Sequence, residues 1–237
     1  MVNVVCEWGL AGVQAWSARA SVFVIVDVLS FSTAVSVAVE QGAEVAPFPH
    51  GDAAAAAIEA RRLHAIPAAG RALTGQPSLS PSSLKALRPG ARLLLPSPNG
   101  SRLSLATGAT TTLCGCLRNT RAVAEAACAR AGDGPIVVIA SGERWPDQSL
   151  RPAIEDWLGA GAIIAAIEGA EMSAEASMAR HGFVAMEGQL HAILRDCVSG
   201  RELIDRGFAQ DVEVALERDA SKVAPILRDG IYAADRR

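Results

Sequence analysis

Short β-rich apolar runs alternate with longer Ala-rich segments along this chain, and that alternation limits the fold more than any other feature. Residues 21–26 form an apolar run rich in β-branched side chains, which is typical of a strand covered on both faces. The same reading predicts further strands at residues 44–47, 92–96, 111–116 and 136–140, with two short ones at 223–225 and 230–232.

The segments between these strands have helical spacing. Helices are predicted at residues 32–41, 53–64, 120–131 and 152–168 and through 173–216. Strands separated by helical segments imply βα units, so we expect a three-layer α/β/α fold with a mixed, largely parallel sheet. Residues 1–237 are predicted to form one such domain, in which 70–81 is the long loop.

The amino-acid composition indicates which classes of partner the protein is expected to bind. With 22 basic and 25 acidic side chains the formal net charge is −3, whereas a nucleic-acid binder carries a basic excess on one face. The longest apolar runs, residues 22–26 and 161–167, are far shorter than the roughly 20 residues that span a membrane. Residues 1–7 lack the features of a secretion signal. We therefore expect a soluble cytoplasmic protein that binds neither nucleic acid nor membrane.

Polar residues follow the first predicted strand, at the sheet edge where ligands of open α/β sheets bind. Asp27 comes directly after the strand, and Ser30, Ser32 and Thr33 lie at the start of the next helix. A carboxylate and hydroxyls in this position suit a metal ligand and an anion cradle. The alternative is that Asp27 or Ser30 simply caps the helix.

Two more polar segments follow later strands. Asn99 and Gly100 form a turn dipeptide that also presents backbone N–H groups to an anion. Arg118 stands just past another strand and could hold a phosphate bidentately, and Asn119 could cap the next helix. An ordinary turn and a surface arginine are the competing interpretations.

The fourth segment runs from residue 141 into the predicted helix at 152–168. It contains Gly142 and Arg144 and then the acidic pair Glu155 and Asp156. Acidic residues in a first helical turn satisfy the helix dipole. Together with Asp27, however, they would also supply the oxygen ligands that Mg²⁺ prefers.

The sequence does not support a zinc site, a nucleotide-binding site or a serine-hydrolase site. Cys114 and Cys116 have no second cysteine pair or nearby histidine, so a zinc site is not expected. The chain lacks a dinucleotide-binding glycine motif, a Walker loop and a Gly-x-Ser-x-Gly elbow.

Taken together, the four segments resemble the 2-phosphosulfolactate phosphatase family, a Mg²⁺-dependent group tied to coenzyme M biosynthesis. No single motif is specific, but the matches occur in the right order over most of the chain. They comprise residues 26–29 with 32–33, 98–102, 116–119 with 122–124, 142–144 with 155–156 and 159–163, and 211–212, 219, 223 and 225.

The resemblance implies an α/β enzyme that hydrolyses a small anionic phosphorylated substrate to sulfolactate and phosphate. It implies Asp27 as the strand-end aspartate, Glu155 and Asp156 as the acidic pair, and Mg²⁺ held by these three residues. The other implied substrate-binding residues lie on the polar loops: Ser30, Ser32, Thr33, Arg71, Asn99, Gly100, Arg118, Asn119, Gly142 and Arg144.

This chain departs from the family at two places. Members usually have Arg at the position of Ser30 and a Glu–Arg pair at the position of Gly70 and Arg71. The loss of a guanidinium leaves open how a second acid group of the substrate is bound, and whether that group is a sulfonate.

Three points stay open at the level of sequence. Asp27 could be a nucleophile or a metal ligand, and the missing Asp-x-Asp-x-Thr signature favours the ligand. The same loops could belong to a binding protein that does not turn over its ligand, and a redox role of Cys114 and Cys116 is a further alternative. Ala-rich helices offer packing faces of the kind that homodimers use, but the assembly state is not determined.

Overall fold

The computed structural model describes residues 3–49, 51–73 and 75–235, so the ends of the predicted domain 1–237 and two internal positions lie outside it. The strands are β1 (Asn3–Trp8), β2 (Val22–Val26), β3 (Glu44–Pro49), β4 (Ile66–Pro67), β5 (Arg92–Ser97), β6 (Thr111–Gly115), β7 (Ile136–Ala140), β8 (Glu143–Arg144), β9 (Leu150–Arg151), β10 (Glu171–Met172), β11 (Pro225–Arg228) and β12 (Ile231–Ala234). The α-helices are α1 (Gly9–Trp16), α2 (Phe31–Glu40), α3 (Ala53–Arg62), α4 (Gly100–Ala106), α5 (Thr120–Ala131), α6 (Ile154–Ala165), α7 (Ala174–Met186), α8 (Leu190–Asp196), α9 (Val198–Asp205) and α10 (Ala209–Ala215).

Ten of the strands form one sheet in the order β10-β1-β7-β2-β6-β11-β12-β3-β5-β4, and β8 pairs with β9 separately. Neighbours from β10 to β6 are parallel, and so are β3, β5 and β4. The β11–β12 hairpin is antiparallel to both of its neighbours in the sheet. The expected mixed, largely parallel sheet is thereby confirmed.

Alternate residues of the central strands pack against helices on opposite faces of the sheet. Val22, Val24 and Val26 belong to a core cluster that includes side chains of α5, α6 and α7. Phe23 and Ile25 belong to a different cluster that includes side chains of α1 and α4. All five residues of β2 are buried, as its unbroken apolar run predicts for a strand covered on both sides.

The main elements that the sequence interpretation does not identify are β1, α1 and α4. β1 mixes apolar side chains with Asn3 and Glu7, and α1 is a short helix that starts at a glycine. The described part of the predicted loop 70–81 contains no helix or strand of the sheet before Pro81, where a short 3₁₀ helix begins. No helix among the described residues is both long and apolar enough to cross a lipid bilayer.

Candidate active site

Asp27 lies directly after β2, at the carboxyl edge of the parallel part of the sheet. Its Oδ1 accepts a hydrogen bond from the backbone N–H of Phe31 at 3.2 Å, and its Oδ2 accepts one from Gly100 at 2.9 Å. Only 5% of the residue is exposed. Burial raises the pKa of Asp27 to about 6, and the nearby charge of Glu155 acts in the same direction. The two backbone donors therefore hold a partly desolvated carboxylate in a fixed position.

Gly100 is the residue that lets the turn after β5 approach Asp27. A Cβ atom at this position would lie 2.2 Å from Cδ1 of Phe31 and 2.8 Å from Oδ2 of Asp27. Any larger residue would therefore push the turn away. Because the N–H of Gly100 donates to the Asp27 carboxylate, it is not free for the predicted contact with a bound anion.

Asp156 joins this cluster from the first turn of α6. Its Oδ1 accepts from the N–H of Val28 at 2.7 Å and its Oδ2 from that of Gly142 at 2.8 Å. Burial raises the pKa of Asp156 well above its usual range, and the charges of Asp27 and Glu155 add to the shift. Asp156 is therefore close enough to Asp27 and Glu155 for their charges to act on it, and the metal-binding role of the acidic pair stays a prediction. Gly142 contacts Asp156 through its backbone N–H.

Glu155 is also buried, at 2% exposure. It lies beside Cys197, whose pKa rises to about 12 through burial and the charge of Glu155. Its charge also acts on Asp27 and Asp156. Neighbouring like charges in a buried site are tolerated only when a proton or a cation compensates them.

Glu143 is a fourth acid in the cluster, and the sequence interpretation does not assign it a role. Its Oε2 accepts from Nδ2 of Asn99 at 2.9 Å. Burial raises the pKa of Glu143 to about 7, and the charge of Asp27 contributes. Its position beside Gly142 in the fourth polar segment is the one sequence feature that could have indicated a role. Nothing in the sequence shows that Asn99 would contact it.

Arg71 supplies a positive charge near Asp27, where it lowers the pKa of that carboxyl. Its Nη1 pairs with Asp211, and its Nη2 donates to Oγ of Ser30 at 2.8 Å. Asp211 is fully engaged, because Ser80 and Ser82 also donate to it. The long loop thereby delivers a guanidinium to the position next to Ser30.

Ser32 and Thr33 do not point to a ligand. Oγ of Ser32 donates to the carbonyl of Ile25 and accepts from the N–H of Asp27, and Oγ1 of Thr33 donates to the carbonyl of Val28. Both residues are completely buried. Their hydroxyls stabilise the turn after β2, so the predicted anion cradle is not formed by these side chains.

Arg118 and Asn119 are not part of the cluster. The Arg118 guanidinium pairs with Glu217 and, at 2.7 Å, with Glu40 in the last turn of α2. Asp27 instead meets the first turn of that helix, and the ten residues of α2 place its two ends about 14 Å apart. Asn119 bonds to backbone atoms of Cys116 and Cys114. Both side chains are buried and engaged in these contacts, so neither is available to a substrate at Asp27.

Arg144 lies at the rim of the site, next to Glu143. Its Nη1 donates to the carbonyl of Gln148 at 3.0 Å, and the residue lines a cavity of about 300 Å³ that Asn99 and Glu143 also line. This cavity lies beside the otherwise buried carboxylates.

Mg²⁺ is the cation that the resemblance implies at these acids. Among the residues that the structure describes, no three His, Cys, Asp or Glu side chains come together as a metal-binding group. Buried and mutually repelling carboxylates are nevertheless the oxygen donors that Mg²⁺ takes, and it commonly uses only one or two of them together with waters and a substrate phosphate. One or two of these carboxylates therefore fit the ion, and the assignment of Asp27, Glu155 and Asp156 together as ligands stays a prediction.

Fold and site together define an α/β protein with a desolvated acidic cluster and an arginine at the carboxyl edge of its parallel strands. A family model for 2-phosphosulpholactate phosphatase matches residues 12–230. A 2-phosphosulfolactate phosphatase from Methanothermobacter thermautotrophicus is 34% identical over 209 residues, which cover 87% of each chain. The chain belongs to the 2-phosphosulpholactate phosphatase family, a family of phosphoric monoester hydrolases.

Proposed function

We propose that this chain hydrolyses 2-phosphosulfolactate to sulfolactate and phosphate, in a Mg²⁺-dependent reaction at the acidic cluster around Asp27. The observation that carries the proposal is the meeting of Asp27, Glu143, Glu155 and Asp156 in one desolvated place. Burial and mutual repulsion raise the pKa of three of them. Unusual pKa values at a sheet edge are typical of catalytic sites.

Asp27, Glu155 and Asp156 would hold the ion, which when bound would neutralise charge on the phosphoryl oxygens. Backbone N–H groups donate to both oxygens of Asp27 and to both oxygens of Asp156. Carboxylates that are fixed in this way are suited to be metal ligands, because they do not have to move during the reaction. The ligand role of Asp27 is thus favoured over that of a nucleophile.

Arg71 would bind the phosphate from the other side of Asp27. A guanidinium matches the geometry of phosphate oxygens, and Arg71 is held by Asp211 and Ser30 at the position where it acts on the Asp27 charge.

Glu143 would transfer the proton. Hydrolysis forms a bond from a water oxygen to phosphorus and breaks the bond from phosphorus to the C2 oxygen, which must leave with a proton. Asn99 occupies Oε2 of Glu143, so a proton on Oε1 can pass to the leaving oxygen. The attacking water keeps one proton on the product phosphate and loses the other to solvent, from which Glu143 is protonated again. A carboxyl with a pKa of about 7 is suited to this step at neutral pH.

Phosphate release from 2-phosphosulfolactate, measured with Mg²⁺ and then with EDTA, tests the proposal. We expect release that EDTA abolishes, and a loss of at least about 100-fold in kcat for Glu143→Gln. Exposed Glu202→Gln is the matched control and should keep full activity. Saturable binding without release under any condition would show a binding protein instead, and release that resists EDTA would remove the metal from the proposal.

A further inference from the structure

Tyr232 is the one tyrosine of the chain, and the proposed hydrolysis does not use it. It lies on β12, in the antiparallel hairpin that separates the two parallel parts of the sheet. The residue is completely buried, so its hydroxyl needs a hydrogen-bond partner within the protein. That partner is Ser104 of α4, whose Oγ accepts from the Tyr232 hydroxyl at 2.8 Å.

The hydroxyl of Ser104 extends this contact to Gly100. Its Oγ donates to the backbone carbonyl of Gly100 at 2.7 Å. Burial raises the pKa of Tyr232 well above its usual range, so the phenol keeps its proton and remains the donor at neutral pH. Because the serine hydroxyl has a single proton and Tyr232 donates to its oxygen, that proton is directed to Gly100.

Gly100 is thereby bound at both of its backbone polar groups. Its carbonyl accepts from Ser104, and its N–H donates to Oδ2 of Asp27 at 2.9 Å. A glycine has no side chain to anchor it and more accessible backbone conformations than other residues. Its position against Asp27 therefore depends on these bonds and on the ring of Phe31, which lies directly against it.

Phe31 is the second residue that Tyr232 holds. The two rings meet edge to face, with centroids 6.3 Å apart and an interplanar angle of 62°. Both rings are fully buried in the same core cluster. The backbone N–H of Phe31 donates to Oδ1 of Asp27 at 3.2 Å. Tyr232 thus contacts, directly or through Ser104, both residues whose N–H groups donate to the Asp27 carboxylate.

We infer that Tyr232 is a positioning residue for Asp27. Its hydroxyl acts through Ser104 and its ring acts through Phe31, and together they hold the two N–H groups that fix the carboxylate. The inference rests on the proposed function for the part that Asp27 plays in the reaction. The antiparallel hairpin that interrupts the parallel sheet thereby supports the site from behind, without contact with the substrate.

The NMR resonance of the Gly100 amide proton reports on its bond to Asp27 without substrate or metal. Tyr232→Phe removes the hydroxyl and keeps the ring. We expect it to move this resonance upfield, because a longer hydrogen bond is weaker. Ser104→Ala should move it in the same direction. In the double variant Tyr232→Phe should add no further movement, because the hydroxyl acts only through Ser104.

Ile226→Val is the matched control, on the other strand of the same hairpin. Ile226 is buried but belongs to a different core cluster from Tyr232. The loss of a buried methyl group should lower the Tm and leave the Gly100 resonance in place. The kcat for phosphate release should fall at least about threefold in Tyr232→Phe, because a displaced group in a reaction site costs rate. It should stay unchanged in Ile226→Val.

Several results would overturn the inference. They are a Gly100 resonance that stays in place in Tyr232→Phe, an equal movement in Ile226→Val, or a further movement when Tyr232→Phe is added to Ser104→Ala. An unchanged kcat in a Tyr232→Phe protein whose Gly100 resonance has moved would also overturn it. A parent protein that releases no phosphate but shows the expected movements would contradict the proposed function and leave the positioning of Asp27 supported.

Discussion

The carboxylate of Asp156 accepts the backbone N–H of Val28 at 2.7 Å, although 128 residues separate the two in the chain. The same carboxylate accepts the N–H of Gly142 at 2.8 Å. One side chain from the first turn of α6 thereby ties together the turns that follow β2 and β7. The buried carboxyl group is part of the architecture of the site as well as of its chemistry.

Asp156→Ala should lower the free energy of unfolding by about 2–4 kcal/mol, because two buried N–H groups lose their acceptor. Urea unfolding at pH 7 measures the change. Asp205→Ala, at an exposed position on α9, should stay within about 0.5 kcal/mol of the parent. A loss no larger than that of the control would contradict the structural role of Asp156.

The stability of the protein without divalent cations should fall as the pH rises. The pKa values of Asp27 and Glu143 in the folded state are about 6 and about 7, above the ordinary values of 3.8 and 4.5. The folded state therefore binds more protons than the unfolded state in the window from about pH 4 to pH 7, and the free energy of unfolding decreases through it. Urea unfolding in EDTA at pH 5 and pH 8 checks the sign, and Mg²⁺ should restore stability at pH 8.

Glu143→Gln measures the contribution of the Glu143 charge to this loss of stability at high pH. The amide oxygen can still accept from Asn99, while the desolvated charge is removed. We expect the variant to gain about 1–2 kcal/mol at pH 8, allowing for its partial exposure, and almost nothing at pH 4. An equal change at both pH values would mean that the charge of Glu143 is not the cause.

Arg71→Ala should cost about 3–5 kcal/mol of stability, because it leaves Asp211 buried without its partner. The double variant Arg71→Ala with Asp211→Asn should recover much of this loss, since the uncompensated charge is gone. Phosphatase activity should not recover. If activity returned together with stability, Arg71 would act only through the fold and would not bind the phosphate.

Arg118→Ala tests whether Arg118 binds the substrate, as the sequence predicts, or only stabilises the fold, as its contacts in the structure indicate. The substitution leaves Glu40 without its partner and Glu217 with only Lys85, so stability should fall. The KM for 2-phosphosulfolactate should change less than twofold in the remaining folded protein. A KM that rises tenfold or more would restore Arg118 to the substrate site.

The sequence by itself determined the layered α/β fold and the edge of the sheet at which chemistry occurs. The all-apolar run of β2 has no stable place except between two layers of helices, and the residue that ends it, Asp27, must then lie at the carboxyl edge. Helical spacing likewise placed Glu155 and Asp156 at the start of a helix. These inferences depend on neighbouring residues alone.

The tertiary structure decided which polar residues meet. Arg118 follows a strand just as Asp27 does, but it pairs with Glu40 at the end of α2 and with Glu217 after α10, which keeps it out of the site. Glu143 and Asn99 are unremarkable in the sequence and become a pair only when β7 and the turn after β5 come together. Contacts between distant segments, burial and the resulting pKa shifts depend on the packing of the whole chain, which local patterns do not encode.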